Sequence, residues 1–414
     1  MKVLSETNQR KGFLVLSGAV AASVPLPPGF NSVTTILLFL FWLVFLPKKF
    51  DSERLKWIVL ISSLVWIALI GMTYTQNVDE GLFRLQQKSL LLAYPLVFGT
   101  VAFAWKTERS RIAAVFVVVI FAACITALVR GIFYWAEQHS TAHLFSHGLA
   151  GQLDFYPYVL SLFSLASMII LVEARFNPGL LPNLFHRLPI FIMLVSFFSL
   201  FIFLLSVLQL MLAWLIAAAI YAFRLSKSRK TFFVWTTATV SAVILFIFLV
   251  PSLKTKVNDY FAGGQNTIPL DRDASLGFIP WNGIAMRKAV WTCALDEIKK
   301  NPMLGVGTGD GQDELQAAYE KRQFYFASRY NRFNTHNQYL QTVVNFGLIG
   351  LVVWLASFFF LFNMQRRHWL GQCLLGLCLF AMLTESMLET NKGILAMAFL
   401  LSVFSYPDKK NQPA

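Results

Sequence analysis

Long apolar runs recur along the chain, and they constrain its fold more than any other feature. Each run holds about 17 to 25 residues, the length an α-helix needs to cross a hydrocarbon core about 30 Å thick. Hydrophobic residues make up 57% of the 414 residues, and charged residues only 14%. Inside a bilayer only helices and closed β-barrels satisfy their backbone polar groups, and these runs do not alternate as barrel strands do. The sequence therefore predicts an all-α polytopic membrane protein.

We predict about twelve transmembrane helices and one large loop between the ninth and the tenth. The predicted spans are residues 12–26, 31–46, 57–73, 86–104, 112–135, 155–174, 188–206, 207–223, 231–251, 337–363, 369–385 and 391–406. The chain is thereby divided into an N-terminal bundle of about nine helices (1–251), a loop domain (252–336) and a C-terminal part of about three helices with a tail (337–414). A cleaved signal peptide is the alternative for the first span, because Lys2, Arg10 and Lys11 precede it.

The distribution of lysines and arginines predicts how these helices are oriented in the membrane. Short loops rich in basic residues stay in the cytoplasm. Such residues cluster in the even-numbered connections, for example at Lys48 and Lys49 after span 2 and at Arg366 and Arg367 after span 10. Both termini are then cytoplasmic. The loop of residues 252–336 is expected on the opposite face, which in a bacterial inner membrane is the periplasmic one.

The predicted external loop is itself basic. Its eleven lysines and arginines are Lys254, Lys256, Arg272, Arg287, Lys288, Lys299, Lys300, Lys321, Arg322, Arg329 and Arg332. Long loops cross the membrane regardless of charge, so the orientation stands. These residues are either solvated charges or an electrostatic funnel for an anionic ligand such as a lipid-linked diphosphate. The net charge of +14 is compatible with both interpretations.

Two amphipathic helices and a glycine turn are predicted inside this loop. The first helix contains Arg287 and Trp291 and ends before Pro302, and the second runs from about Asp313 to Tyr330. Between them, the glycine-rich residues 305–311 could be mistaken for a phosphate cradle, but no strand precedes them and no GK[ST] follows. The glycines more simply bring the backbone close to a glycan or a neighbouring helix.

No metal site is predicted. His139, His143 and His147 would share a face if their segment were helical, but Gly148 and Gly151 argue against a helix there. The four cysteines have neither a disulfide framework nor a CxxC spacing.

The loop and the helix after it resemble the O-antigen ligase-like family. The resemblance rests on Arg287, Trp291, the segment 301–309, the sequence His336-Asn337-Gln338-Tyr339-Leu340, and Gly347 with Gly350. It covers about residues 283–355, and the twelve-span layout extends it over the chain. It implies a C-type membrane glycosyltransferase that moves a glycan from undecaprenyl diphosphate to an acceptor hydroxyl, without a metal or other cofactor. A ligase that uses lipid A-core and a polymerase that extends lipid-linked repeats both remain open; nucleic acid is not an expected partner.

The resemblance and the chemistry of displacing a diphosphate select the candidate site residues. His336 is the candidate base for the acceptor hydroxyl, and Arg287 is the candidate diphosphate clamp. Further candidates for substrate binding are Arg84, Lys88, Asn337, Tyr339, Gly307, Asp310, Glu385 and Glu389. The alternatives are structural: His336 as a helix cap, Arg84 and Lys88 reaching for headgroups, Asp310 as a turn residue, and the two glutamates paired with Lys392 or the basic loop.

One departure from the family concerns the turn between spans 7 and 8. Many members carry a Ser-Arg pair there, whereas this chain reads Ser206-Val207-Leu208-Gln209. Arg84 and Lys88 are the expected substitutes for the missing cation. A transporter or flippase of lipid-linked sugars is the alternative of another class, but the sequence shows no internal repeat and few charges at mid-membrane.

Overall fold

The computed structural model describes residues 4–226, 228–261, 283–366 and 368–405, and this part of the chain is built from helices without a β-strand. In chain order the helices are α1 (Glu6–Ser23), α2 (Pro28–Phe45), α3 (Ser52–Ile61), α4 (Ser63–Gly71), α5 (Val78–Lys88), α6 (Leu90–Thr100), α7 (Lys106–Gln138), α8 (Ser146–Gly151), α9 (Pro157–Ala174), α10 (Leu188–Leu205), α11 (Leu208–Leu225), α12 (Arg229–Leu249), α13 (Pro251–Phe261), α14 (Gly283–Lys300), α15 (Gly311–Lys321), α16 (Gln338–Met364), α17 (Trp369–Ala381) and α18 (Asn391–Phe404). Lys2, Lys227, Arg272, Arg367 and most of the predicted tail lie outside the described residues.

Seven of the described helices are long and apolar enough to cross a membrane. They are α2, α7, α9, α10, α11, α12 and α16. An eighth span results if α3 and α4, which meet at a bend of 60°, are counted as one. The prediction of an all-α, multi-pass membrane protein is confirmed at this level. The count of twelve spans and the external position of the loop stay predictions.

Three of the predicted spans differ clearly from the helices observed. The predicted span 57–73 is divided between α3 and α4 at Ser62. The predicted span 86–104 is divided at Ser89, whose hydroxyl donates to the Gln86 carbonyl (2.7 Å) and thereby ends α5. The predicted span 369–385 ends at Ala381, because the chain turns there. The second predicted amphipathic helix is also shorter than expected, since α15 ends at Lys321 and a separate π-helical turn follows at Phe326–Asn331.

The core of the bundle lies around α9 and α18. In α9, 94% of the residues are buried, and every residue of α18 from Gly393 onward is buried. A helix that is apolar on all faces belongs inside a bundle rather than at its surface. The neighbours of α9 include α7, α10, α11 and α17, and α18 packs on α6.

Loop segments distant in sequence meet at one end of the bundle. The Tyr74 hydroxyl donates to the Leu304 carbonyl (2.8 Å), and Lys256 Nζ donates to Ser146 Oγ (2.9 Å). These contacts define one end of the bundle, which we call the loop end. It gathers residues 72–89, 139–156, 206–209, 250–258, 283–337 and 382–390.

A break in α16 ties the loop to the bundle. Gly347 has φ +64°, a left-handed conformation that interrupts the helix. The segment 302–307 fits against the break: the Val306 and Gly307 amides donate to the Val344 and Asn345 carbonyls (3.0 and 2.8 Å), and the carbonyls of residues 302 and 303 accept from the amides of residues 348 and 349 (2.8 and 3.2 Å). The predicted glycine turn therefore approaches a neighbouring helix, one of the two alternatives expected.

Candidate functional site

His336 lies in a turn immediately before α16. Its backbone has φ +46°, and its amide donates to Asn334 Oδ1 (2.9 Å). Asn337, not His336, caps the helix, since Asn337 Oδ1 accepts from the Leu340 amide (3.0 Å). The capping role considered for His336 is thus taken by its neighbour, and the imidazole points elsewhere.

Two segments hold this turn in place. From α14, Trp291 Nε1 donates to the Thr335 carbonyl (2.9 Å). From the turn after α17, Ser386 Oγ accepts from the Asn337 amide (3.1 Å) and lies 3.0 Å from Thr335 Oγ1. The Asn337 side-chain amide donates to the Leu383 carbonyl (3.0 Å). Asn337 therefore positions the turn through both its backbone and its side chain.

Glu385 joins His336 to Arg287. Its Oε2 lies 3.2 Å from His336 Nδ1, and its Oε1 lies 2.6 Å from Arg287 Nη2. Arg287 Nε also donates to the Thr384 carbonyl (3.2 Å). The side chains of Arg287, Glu385 and His336 are 26%, 18% and 19% exposed, so the cluster is open enough for a ligand to contact it.

The carboxylate fixes the chemistry of the imidazole. A proton on Nδ1 is donated to Glu385, which leaves the lone pair on Nε2. Among the described residues Nε2 has no hydrogen-bond partner, although it is shielded from solvent. The ring of Phe333 packs edge-on against the His336 ring, with 5.2 Å between the ring centroids. A buried polar atom without a partner is costly in a native fold and is often a place where a ligand binds.

Glu389 belongs to a separate cluster. It lies 3.2 Å from Lys88 Nζ and 3.9 Å from Arg84, which also pairs with Glu80 (2.7 Å). Lys88 is 1% exposed and therefore buried, so the expectation that it reaches headgroups is wrong. Their spacing in the sequence predicts that Glu385 and Glu389 lie one helical turn apart, and this is wrong because α17 ends at Ala381. The two carboxylates belong to two different ion-pair clusters.

Arg84 and Glu389 line a polar cleft of about 410 Å³ at the loop end. Its other lining residues are Asn77, Glu80, Gln312, Asp313, Arg332 and Asn334. The cleft borders the His336 turn through Asn334, the residue that accepts from the His336 amide. Amides, carboxylates and guanidinium groups that converge on one cleft are suited to a polar ligand with many hydroxyl groups.

Three of the candidate residues hold the scaffold together. Asp310 accepts from Thr75 Oγ1 and from the Gln76 and Asn77 amides (2.8, 2.8 and 2.7 Å), so its carboxylate faces this segment and not His336. Gly307 has φ +105° and passes so close to Thr75 that a Cβ would lie 3.0 Å from its Cα. Tyr339 donates to the Leu379 carbonyl (2.8 Å) on α17.

The turn between α10 and α11 is contacted by a cation of the basic loop, Lys256. Lys256 Nζ, from α13, donates to the Ser206 carbonyl (2.8 Å) and to Ser146 Oγ (2.9 Å). The signal in the sequence is the spacing of Lys256 three residues after the apolar Leu253, because residues three apart share a helical face and Leu253 is buried in the structure. Arg84 and Lys88, the expected substitutes, pair with carboxylates instead.

The three histidines of the 139–147 segment lie on different elements. His139 follows α7 with φ +52°, His143 is in a 3₁₀ turn and His147 is in α8. The helical face considered for them does not form. Among the described residues no group of three or more His, Cys, Asp or Glu side chains could hold a metal ion.

Comparison with known proteins identifies one family. The family model described as O-antigen ligase matches residues 192–355, from α10 into α16. The matched part contains Lys256, Arg287 and His336, whereas Glu385 lies beyond it. No curated protein matches the chain.

Proposed function

We propose, from the premise that this chain belongs to the O-antigen ligase-like superfamily through residues 192–355, that it transfers a glycan from undecaprenyl diphosphate to an acceptor hydroxyl. The proposed acceptor is lipid A-core, and the proposed location is the periplasmic face of the bacterial inner membrane. The observation that carries the proposal is the His336 imidazole, held by Glu385 at Nδ1 and without a partner at Nε2.

The proposed reaction is a direct displacement. The acceptor hydroxyl gives its proton to His336 Nε2 as its oxygen forms a bond to the anomeric carbon. The bond from that carbon to the diphosphate oxygen breaks, and undecaprenyl diphosphate leaves with the electron pair. Attack from the opposite side inverts the anomeric centre. Glu385 stabilises the imidazolium that forms, and the superfamily resemblance implies that no metal takes part.

Arg287 is proposed to stabilise the leaving group. A guanidinium can form two parallel hydrogen bonds to a phosphate, and its charge offsets the charge that develops on the diphosphate. One edge of Arg287 is occupied by Glu385 and Thr384. Its side chain is still 26% exposed, so contact with a phosphate is compatible with the packing.

The polar cleft is the proposed site of a glycan. Its amide and charged side chains can donate to and accept from sugar hydroxyls, and Asn334 connects it to the His336 turn. A glycan in this cleft would extend towards the imidazole. Glu389 would contact it from the wall while remaining paired with Lys88.

A reconstituted transfer assay tests the proposal. Purified protein in liposomes receives undecaprenyl-diphosphate glycan and lipid A-core, and the products are separated by mass. Wild type is compared with His336→Ala and Arg287→Ala, and with Arg329→Ala as the control, because Arg329 is an exposed basic residue of the same loop whose carboxylate partner, Glu320, is also exposed. We expect glycan on lipid A-core with wild type and the control, and at least about a hundredfold less with the two site variants.

The other outcomes are equally informative. Longer lipid-linked chains in place of modified lipid A-core would identify a polymerase. Movement of the lipid-linked glycan across the bilayer without any transfer would contradict the proposal and support the flippase alternative. Full activity of His336→Ala would show that the imidazole is not the base.

A further inference from the structure

Lys256 is a partly buried cation whose partners carry no charge. Its ammonium donates to the hydroxyl of Ser146 and to the carbonyl of Ser206. Among the described residues no carboxylate lies within 4.0 Å of it, although other basic residues of the loop, Arg287, Arg322 and Arg329, each have one. Removing a charge from water without a counter-ion costs stability. An anion that binds beside the Lys256 ammonium would offset this cost.

Short backbone stretches and hydrogen bonds connect the Lys256 environment to Arg287. Lys256 holds the Ser206 carbonyl, and Gln209 lies three residues further along the same turn. The Gln209 side chain accepts from Thr384 Oγ1 and donates to the Phe380 carbonyl. Arg287 Nε donates to the Thr384 carbonyl (3.2 Å). Lys256 and Arg287 thus border the same part of the loop end from α13 and α14.

Lys256 and Arg287 lie close enough for the charge of one to affect the pKa of the other. Burial, and then the charge of Arg287, lower the pKa of Lys256 to about 8. Burial and the charges of Lys256 and Arg287 also lower the pKa of His147, whereas the charge of Glu385 raises it. Among the described residues, Arg287 is paired with Glu385, whereas no carboxylate offsets the charge of Lys256 within 4.0 Å.

We propose that Lys256 and Arg287 together form an anion site that binds the diphosphate of the lipid-linked donor. This inference rests on the proposed function and extends it, because it assigns the second cation of the donor site to α13. The Arg287 guanidinium contacts one phosphate of the diphosphate. The Lys256 ammonium gives up one of its uncharged partners and contacts the second phosphate. Ser146 and Ser206 hold the ammonium in place while the site is empty.

A phosphate at this end of the bundle could also come from a phospholipid headgroup. The chemistry that Lys256 recognises, a phosphate ester, is the same in both ligands. A diphosphate offers two adjacent groups to two cations, whereas a phosphodiester offers one. The two sources therefore differ in how strongly binding depends on Lys256.

The test combines a binding measurement with kinetics. Wild type, Lys256→Gln and Lys256→Arg are placed in nanodiscs of zwitterionic lipid, and Lys254→Gln is the control, because Lys254 is exposed on the same helix. Undecaprenyl diphosphate is titrated and bound lipid is counted by native mass spectrometry, with phosphatidylglycerol as the second probe. Melting temperatures establish that each variant is folded.

We expect Lys256→Gln to bind undecaprenyl diphosphate about tenfold more weakly, the usual effect of losing one charge-assisted hydrogen bond. The KM for the donor should rise by a similar factor with little change in kcat. Lys256→Arg should restore both, and Lys254→Gln should match wild type. Phosphatidylglycerol binding should change much less.

Unchanged undecaprenyl diphosphate binding in folded Lys256→Gln would overturn the inference. An equal loss for phosphatidylglycerol would assign the site to lipid headgroups and would also overturn it. The binding measurement needs no turnover. If wild type transfers no glycan and Lys256→Gln still loses diphosphate binding, the proposed function fails while the anion site stands.

Discussion

Glu385 connects a base to a cation through its two oxygens. One oxygen is 3.2 Å from His336 Nδ1 and the other is 2.6 Å from Arg287 Nη2. A carboxylate on Nδ1 sets the tautomer of the imidazole and stabilises its protonated form. In this arrangement Glu385 is a positioning residue, because it acts on the acceptor only through His336.

We expect Glu385→Gln to lower kcat for transfer by about 10–100-fold, the usual cost of removing a partner that orients a functional histidine. The amide keeps the shape of the side chain but loses its charge. The KM for the donor should change little, and this separates positioning from donor binding. Glu320→Gln is the control, since Glu320 pairs with Arg329 at the surface. A large rise in donor KM with unchanged kcat would contradict this role.

The pH dependence of donor capture should reflect Lys256. Its pKa is lowered to about 8 in the folded protein from an ordinary value of 10.5. Lys256 therefore loses its charge, and its attraction for phosphate, as the pH rises through about 8. We expect kcat/KM for the donor to fall across this range in wild type. Lys256→Arg should lack this fall, because arginine stays charged. An identical profile in both proteins would contradict the assignment.

The same lowered pKa affects stability, with a definite sign. Between pH 8 and 10.5 the unfolded chain binds more protons at Lys256 than the folded protein does. The contribution of Lys256 to stability is therefore gained as the pH rises through this window and lost as the pH falls through about 8. Below pH 8 the folded protein carries the full cost of a partly buried charge.

At the scale of the element, α16 shows how glycine permits a broken helix. Gly347 has φ +64°, and a Cβ there would lie 2.1 Å from the Met303 carbonyl oxygen. Gly305, on the opposing segment, has φ +66°, and a Cβ there would lie 2.5 Å from the Asn345 carbonyl carbon. Two glycines with left-handed backbone thus let a helix and a loop approach within hydrogen-bond distance.

We expect Gly347→Ala to destabilise the protein strongly and to abolish transfer. The backbone strain alone costs about 1–3 kcal/mol, and the clash with Met303 adds to it. Gly376→Ala is the matched control: Gly376 is also in an apolar helix, but a Cβ there meets nothing within 4 Å. The control should melt at or slightly above the wild-type temperature, since alanine favours helix. A Gly347→Ala variant that melts as wild type does would contradict the account of the break.

At the scale of the whole molecule, the apolar runs were sufficient to predict a helical membrane protein, but not its breaks. The division at Ser89 accompanies a local hydrogen bond to Gln86, and the bend in α16 depends on contacts with residues 302–307. A hydropathy pattern contains no information about either. The candidate site is a similar case, and its function stays a prediction. Local sequence selects His336 and Arg287 as candidates, but that both contact Glu385, 49 residues from His336, is visible only in the packing.

The predicted orientation can be tested on the whole molecule. The loop end should face the periplasm, and the opposite end the cytoplasm. The native cysteines are buried or partly buried, so single cysteines can be introduced at exposed lysines. We expect a membrane-impermeant maleimide to label Lys299→Cys in intact spheroplasts, and Lys11→Cys only after the membrane is opened. The reverse pattern would invert the topology and contradict the periplasmic assignment.

The insertion of residues 302–307 into α16 limits how this protein can be recombined with its relatives. Four peptide groups of α16, the carbonyls of residues 344 and 345 and the amides of residues 348 and 349, are bonded to the inserted segment. A chimera that takes residues 302–307 from one parent and α16 from another would leave these groups without matched partners. Modular exchange should therefore succeed only when both pieces are transplanted together.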